Sequence, residues 1–295
     1  MLEVVDLKKK LESAEYQRAF PRLQERLRVL QYEARDAQIP TVIALEGWDA
    51  CGRGNIIKHL TQRLDPRLFR IYAGTPPSPL EQRYHFLWRY QLNLPNDGEM
   101  ALFDHSWYGR VLVERVDKLV PKKAWREAYE QINEFERWLA EDNQVLVKFW
   151  LHISRKEQKK RFQEYEADPQ MAWKVTKEYW RHHRNYDKWV KAVEEMLAKT
   201  DTPHAPWTIV EANDLRWARV KVFKALIQRL EEALKRRQAE PAAVSRTAAA
   251  EAATQAARKA RAAADAELAR AKAREAGMPL EELGERRPAR VVVHS

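Results

Sequence analysis

The sequence predicts an α/β fold in which a parallel sheet carries helices on both faces. Five short runs of β-branched and aromatic residues alternate with segments of helix length, and this alternation is typical of strand–helix–strand units. A glycine-rich turn follows the first run directly, where a strand passes into a helix. Ligands of such sheets bind at the carboxyl ends of the strands, so the residues after each run are the first candidates for a functional site.

The predicted strands are short and apolar, and they lie at residues 41–47, 67–74, 99–104, 145–153 and 207–214. The first, TVIALEG, suits a strand that is buried on both faces. Helices are predicted at 54–64, 125–141 and 216–237. Residues 2–37 carry leucines and aromatic residues at roughly helical spacing, and Pro21 is expected to divide them into two helices.

The composition indicates a soluble protein with a polyanionic partner. No apolar run approaches the ~18 residues that a membrane span needs. The formal charge is +10, which favours either a chain of phosphates or a nucleic acid. The single cysteine, Cys51, cannot form a disulfide within the chain, and the N-terminus lacks a secretory pattern, so we expect a cytoplasmic protein.

The composition changes near residue 238. From there to residue 295 the chain is mostly Ala, Arg, Lys and Glu, with almost no large apolar residue to pack, which indicates a solvated, partly helical, basic tail. We therefore expect an N-terminal helical segment at 1–37, a core at 38–237 and a low-complexity tail at 238–295.

The glycine-rich turn has the spacing of a phosphate-binding loop (Walker A), with Gly47, Gly52 and then a cation, Arg53. Gly47 lets the chain turn out of the strand, and Gly52 and Gly54 permit positive φ and let backbone N–H groups approach phosphate oxygens closely. A helix that starts near residue 55 adds the positive end of its dipole. The alternative is a glycine turn that binds no ligand.

Two acidic residues stand next to these phosphate-binding elements. Asp49 lies inside the loop, where an acid repels phosphate unless a cation lies between them. It is therefore a candidate to bind magnesium or to orient an accepting phosphate, and the alternative is a residue that stabilises the turn. Asp104 directly follows the third strand, as a magnesium-binding carboxylate does in phosphate-loop enzymes.

Arg110 is a candidate bidentate phosphate donor. The intervening Trp107 and Tyr108 suit either base stacking or core packing.

These stretches together resemble the family-2 polyphosphate kinases, and most closely the branch that phosphorylates AMP. That family's loop reads Gly-x-Asp-Ala-Ala-Gly-Lys-Gly, which residues 47–54 match, and its second motif reads Asp-Arg-Ser-Trp-Tyr-(Asn/Gly)-Arg, which residues 104–110 match. The resemblance covers about residues 15–235. It implies a three-layer phosphate-loop kinase fold of the thymidylate-kinase type with a helical lid, a basic channel for polyphosphate, and Mg²⁺ as cofactor.

The chain departs from the family pattern at two charged positions. Arg53 replaces the loop lysine and His105 replaces the arginine after Asp104. Arginine is broader and longer than lysine, so Arg53 keeps the charge but changes the shape. We expect Asp49, Arg53, Asp104 and Arg110 to be catalytic, Asp49 and Asp104 to bind the metal, and His105 to join the three loop glycines in phosphate binding.

The lid is predicted at about residues 154–191, a stretch rich in basic and aromatic residues after the fourth strand. Arg161 and Arg181 are the preferred phosphate ligands, because the family carries arginines at similar positions. The other basic candidates there are Arg155, Lys160, Lys174 and Arg184. The alternative for this segment is a solvated helical hairpin. His182 and His183 are expected to be surface residues and not metal ligands.

We expect a magnesium-dependent kinase that moves phosphoryl groups from inorganic polyphosphate to a nucleoside mono- or diphosphate, AMP to ADP and also ADP to ATP. The alternatives are a weakly active or inactive homologue that binds these ligands, as the departures at 53 and 105 suggest, an ATP-dependent nucleoside kinase, and nucleic-acid binding by the tail. We expect no membrane partner, no nucleic acid as the main partner, and a homo-oligomer.

Removing the tail after Arg237 should leave the melting temperature of the remaining chain nearly unchanged, because the tail has little apolar surface to bury. Scanning calorimetry of the full and truncated chains measures this. A truncated protein that melts many degrees lower would show that the tail packs on the core.

Overall fold

The computed structural model describes residues 2–239 and 254–264. The chain divides into two compact units, Met1–Pro241 and Ala242–Ser295. Residues 238 and 239 of the predicted tail end the last helix of the first unit, residues 254–264 are helical, and the rest of the predicted tail lies outside the described residues. Within the described part of the chain, no helix is both long and apolar enough to cross a membrane.

The first unit is built on a five-stranded parallel sheet with the order β2-β3-β1-β4-β5. The strands are β1 Thr41–Gly47, β2 Phe69–Ala73, β3 Met100–Asp104, β4 Val145–His152 and β5 Trp207–Glu211. All five strands form where the apolar runs predict them, and the predicted parallel α/β fold is confirmed. Because β1 lies between β3 and β4, a strand that is apolar on both faces fits the centre of the sheet.

Helices cover the sheet in two groups. The helices in chain order are α1 Ser13–Asp36, α2 Arg53–Thr61, α3 Trp88–Gln91, α4 Val113–Val116, α5 Lys122–Glu141, α6 Arg155–Ala167, α7 Lys177–Arg184, α8 Tyr186–Thr200 and α9 Leu215–Ala239. Helices α1 and α2 pack on α9, whereas α4, α5 and α8 pack on one another. Both α9 and α5 contact β4, whose residues are buried along its whole length, so the sheet is covered on both faces.

The expectation that Pro21 divides the N-terminal segment is wrong, because Pro21 lies inside the continuous helix α1. Helix α1 packs along α9, and Phe20 next to the proline is buried with its ring 4.9 Å from that of Phe223. Leu27 and Leu30 extend the same buried face. This apolar contact outweighs the loss of one backbone hydrogen bond.

A buried ion pair fixes the chain that follows β3. Lys148 on β4 donates to Glu136 on α5 at 2.7 Å and to the carbonyl of Thr200 at 2.7 Å. The other oxygen of Glu136 accepts from Trp107 Nε1 at 3.0 Å and from Tyr108 Oη at 2.6 Å. Both aromatic residues are fully buried, so core packing, not base stacking, is their role in this structure.

Lys148→Met should lower the free energy of unfolding by about 3–5 kcal/mol, because it leaves Glu136 as an unpaired buried charge. Adding Glu136→Gln should recover at least about half of that loss, because the amide is neutral and its oxygen still accepts from the two aromatic residues. Urea unfolding measures both variants. Lys123→Met, at an exposed pair on the same helix α5, is the control and should change stability by less than about 0.5 kcal/mol. If the double variant loses the sum of the free energies of unfolding that the two single substitutions cost, Lys148 and Glu136 do not act as a pair.

Candidate active site

The loop between β1 and α2 has the close packing that its glycines predict. A Cβ at Gly47 would lie 2.7 Å from the carbonyl oxygen of Leu151, and one at Gly52 would lie 2.6 Å from Leu215. Gly52 also has φ of 99°, a conformation that favours glycine. Helix α2 begins at Arg53, so Gly54 is helical. Among the described residues, apart from its chain neighbours and the backbone of its own helix, no atom lies within 4 Å of where a Cβ of Gly54 would stand.

Arg53 closes the loop from inside. Its Nε donates to Asp104 at 2.9 Å, and one terminal nitrogen donates to the carbonyls of Gly47 at 2.9 Å and Trp48 at 3.2 Å. The other terminal nitrogen lies 2.5 Å from His105 Nε2. Only 11% of the side chain is exposed. Arg53 therefore connects the loop after β1 to the segment after β3.

The segment after β3 is held by Glu46, an acid buried at the end of β1. One carboxylate oxygen accepts from the N–H of Ser106 at 2.7 Å and from its hydroxyl at 2.8 Å. The other lies 3.2 Å from His105 Nδ1. Asp104 and His105 thus leave the sheet in one fixed direction, toward the loop.

Arg110 lies at the end of this segment. It pairs with Glu114 at 3.0 Å, and its guanidinium stacks on the ring of Phe86 at 4.6 Å. Its Nε is buried and, within the described residues, without a hydrogen-bond partner. The catalytic role predicted for Arg110 stays a prediction.

Asp49 points from the loop to the lid segment. Its carboxylate lies 2.8 Å from His182 Nδ1 on α7, and His182 Nε2 lies 3.2 Å from Asp117. Burial alone lowers the pKa of His182, but its hydrogen bonds with Asp49 and Asp117 outweigh burial and raise the pKa. The expectation that His182 and His183 lie on the surface is wrong, because both are buried. His183 binds Gln158, which in turn donates to the carbonyl of Asp49.

Arg161 supports the loop by binding backbone. Its guanidinium donates to the carbonyls of Ala50 at 3.0 Å, Ala212 at 2.7 Å and Asn213 at 3.0 Å. Its Nε donates to Glu157 at 2.8 Å. Arg181 is half-exposed and pairs with Asp117 and with Glu178 of its own helix. Contact of Arg161 or Arg181 with phosphate stays a prediction.

The carboxylates of the site fit magnesium. The hydrogen bonds among the described residues use one oxygen of Asp49 and one of Asp104, and oxygen is the donor that magnesium prefers. Asp117, Glu178 and His182 form a second possible site, with ligand atoms within 4.8 Å of one another. There the guanidinium of Arg181 already pairs with both carboxylates, and the third donor is a nitrogen. The binding of magnesium by Asp49 and Asp104 stays a prediction.

Residues 10–238 match the family described as Polyphosphate kinase 2. The chain belongs to this family. It is 40% identical over 236 residues to the polyphosphate:AMP phosphotransferase of Pseudomonas aeruginosa, which covers 80% of this chain and 48% of that protein. It is 37% identical over 215 residues to NDP-polyphosphate phosphotransferase 1 of Ruegeria pomeroyi, with 73% of this chain and 70% of that protein covered.

A solved polyphosphate kinase 2, from Arthrobacter aurescens TC1, has a TM-score of 0.75 at 29% identity and covers 79% of this chain and 85% of that one. The resemblance inferred from the two motifs and the predicted phosphate-loop kinase fold are both confirmed. The chain spans about half the length of the polyphosphate:AMP phosphotransferases of Pseudomonas that it matches, 48% and 47%.

Four residues that contact the predicted site residues were not themselves predicted from the sequence as site residues: Glu46, Asp117, Gln158 and His182. Glu46 did carry a signal, because it is the only charged residue in an otherwise apolar strand. The other three lie in polar stretches, where no sequence pattern distinguishes a residue that is buried against a partner from one that faces solvent.

Arg161→Met should lower the free energy of unfolding by about 1–3 kcal/mol, because one buried and two partly buried carbonyls lose their donor. Lys160→Met is the matched control on the same helix, since its ammonium is exposed and pairs only with Glu164 within the described residues. The control should change stability by less than about 0.5 kcal/mol. Urea unfolding measures the free energy of unfolding of both variants. Equal effects of the two substitutions would contradict a role for Arg161 in supporting the loop.

Proposed function

We propose that this chain transfers a phosphoryl group from inorganic polyphosphate to a nucleoside phosphate, with AMP as the first acceptor and ADP as the product. The observation that carries the proposal is the bridge from Arg53 to Asp104, which brings the phosphate loop and a strand-end carboxylate together at one edge of the sheet. The names of the relatives from Pseudomonas and Ruegeria support the donor and the class of acceptor.

The residues of the site suit phosphoryl transfer without a covalent intermediate. Helix α2 begins at the loop without a side-chain cap, and no side chain of the described residues lies over Gly54, so phosphate can approach the amino end of the helix. Arg53 and Arg110 supply positive charge where negative charge develops in the transition state. Cys51 is the one thiol of the chain, and burial raises its pKa, so it stays protonated and unreactive.

Asp49 and Asp104 would hold magnesium, which when bound neutralises phosphate charge. Asp49 belongs to the loop and Asp104 to β3, and the register pairs Asp104 with Leu45 of the neighbouring strand. Each carboxylate is held from one side, Asp49 by His182 and Asp104 by Arg53. Fixed carboxylates need little rearrangement on binding, which favours their role as positioning groups.

ADP is proposed as a second acceptor. An ADP-polyphosphate phosphotransferase of Pseudomonas aeruginosa is 38% identical over 228 residues, close to the identity of the AMP enzyme. We also propose a cytoplasmic homo-oligomer. A single cysteine suits a reducing compartment, and the exposed side chains of Leu80 and Leu92 offer apolar surface for association.

The purified full chain, given magnesium and long-chain polyphosphate, should convert AMP to ADP. Separate reactions with ADP, GMP, or ATP in place of polyphosphate define acceptor and donor, and chromatography of the nucleotides measures each product. Asp104→Asn should lower kcat by about a hundredfold or more, because the carboxylate charge is lost at the reacting phosphates. Asp36→Asn, at an exposed aspartate before the amino end of β1, is the control and should keep full activity.

Unchanged AMP and ADP after hours, in a reaction where another polyphosphate kinase converts them, would refute the activity. ADP that forms from AMP with ATP as the donor, but not with polyphosphate as the donor, would instead identify a nucleoside monophosphate kinase. Full activity of the Asp104→Asn variant would place the chemistry elsewhere.

A further inference from the structure

Arg53 and His105, which stand where the family pattern has a lysine and an arginine, contact each other. The terminal nitrogen of Arg53 lies 2.5 Å from Nε2 of His105, although the residues are 52 positions apart. The same imidazole lies 3.2 Å from Glu46 through its other nitrogen. A chain of contacts therefore runs from Glu46 through His105 to Arg53 and on to Asp104.

The donors and acceptors in this chain fix the state of the imidazole. A guanidinium can only donate, so Nε2 of His105 must accept from Arg53. A carboxylate can only accept, so Nδ1 must carry the proton and donate to Glu46. His105 is then the neutral tautomer protonated on Nδ1, and it cannot act as a cation while it holds Arg53.

The backbone keeps the imidazole in place. His105 has φ of 66°, a left-handed conformation that is uncommon outside glycine, and its N–H donates to the carbonyl of Leu45 at 3.1 Å. A Cβ at Gly74 would lie 2.3 Å from the Cβ of His105, so this close approach requires glycine at position 74. His105 is packed between β1 and the end of β2.

We propose that His105 is a positioning residue that orients Arg53, and that the two form a compensating pair in place of the family's lysine and arginine. The proposal rests on the phosphotransfer function above. Arginine at position 105 would bring a second guanidinium against Arg53, and like charges at this distance repel. Lysine at position 53 has a single nitrogen, which cannot serve Asp104, the two loop carbonyls and His105 together.

The pair makes a prediction for four proteins: the natural chain, Arg53→Lys, His105→Arg and the double variant. Each single variant should lower kcat about tenfold to a hundredfold, which corresponds to the loss of one charge-assisted hydrogen bond. The double variant has the family's residues at both positions and should return to within about threefold of the natural chain. The KM for polyphosphate should change less than kcat, because orientation and not binding is altered.

Arg63→Lys is the matched control, an arginine on the surface after α2 whose substitution should leave kcat unchanged. A rise in kcat from Arg53→Lys alone, or losses that simply add in the double variant, would overturn the pairing.

Two measurements on the ligand-free chain need no activity. Nitrogen-15 NMR of the imidazoles, with the His105→Gln variant to assign the signal, should show His105 protonated on Nδ1. The free energy of unfolding should also show coupling in the same four proteins, with the double variant more stable than the sum of the single losses predicts. A chain without phosphotransfer that still passes both tests refutes the proposed function and leaves the pair standing. A proton on Nε2, together with additive stabilities, refutes the pair whatever the activity.

Discussion

The ion pair between Arg53 and Asp104 joins the two halves of the candidate site. Leu45 and Asp104 are paired in register on neighbouring parallel strands, so the loop after β1 and the segment after β3 emerge side by side. The two charges lie 2.9 Å apart and Arg53 is almost fully enclosed, so their attraction is little screened by water. The order of the sheet thus places a cation and a carboxylate where phosphate loops bind their ligands.

The sequence predicted most of the fold because the deciding signals were local. Each strand was an apolar run, and β1 has the predicted bounds because Gly47 and the turn after it end the run abruptly. The errors arose where tertiary contacts outweigh local preference. Pro21 stays helical because α1 packs on α9.

Short motifs predicted the residues that meet at this edge of the sheet, but not the distant residues that bind them. Asp49 and Asp104 follow strands and could be read from position alone. His182 lies 133 residues from Asp49, and the histidines of a basic, aromatic segment look like surface residues until the helix that carries them is placed. Arg161 was recognised as important, but its bonds to backbone carbonyls in two different loops depend on the fold and not on any residue pattern.

The contact between Arg53 and His105 changes the meaning of the two departures from the family pattern. Considered singly, each looks like the loss of a catalytic cation. Considered together, an arginine beside a neutral imidazole makes one positive charge where a lysine and an arginine make two. His182 on the lid segment also bears on the charge of the site: its two ring nitrogens face the carboxylates of Asp49 and Asp117, and these contacts raise its pKa against the effect of burial. The charge of this site therefore depends on the loop after β1, the segment after β3 and the lid segment together. It cannot be predicted from the eight loop residues 47–54 alone.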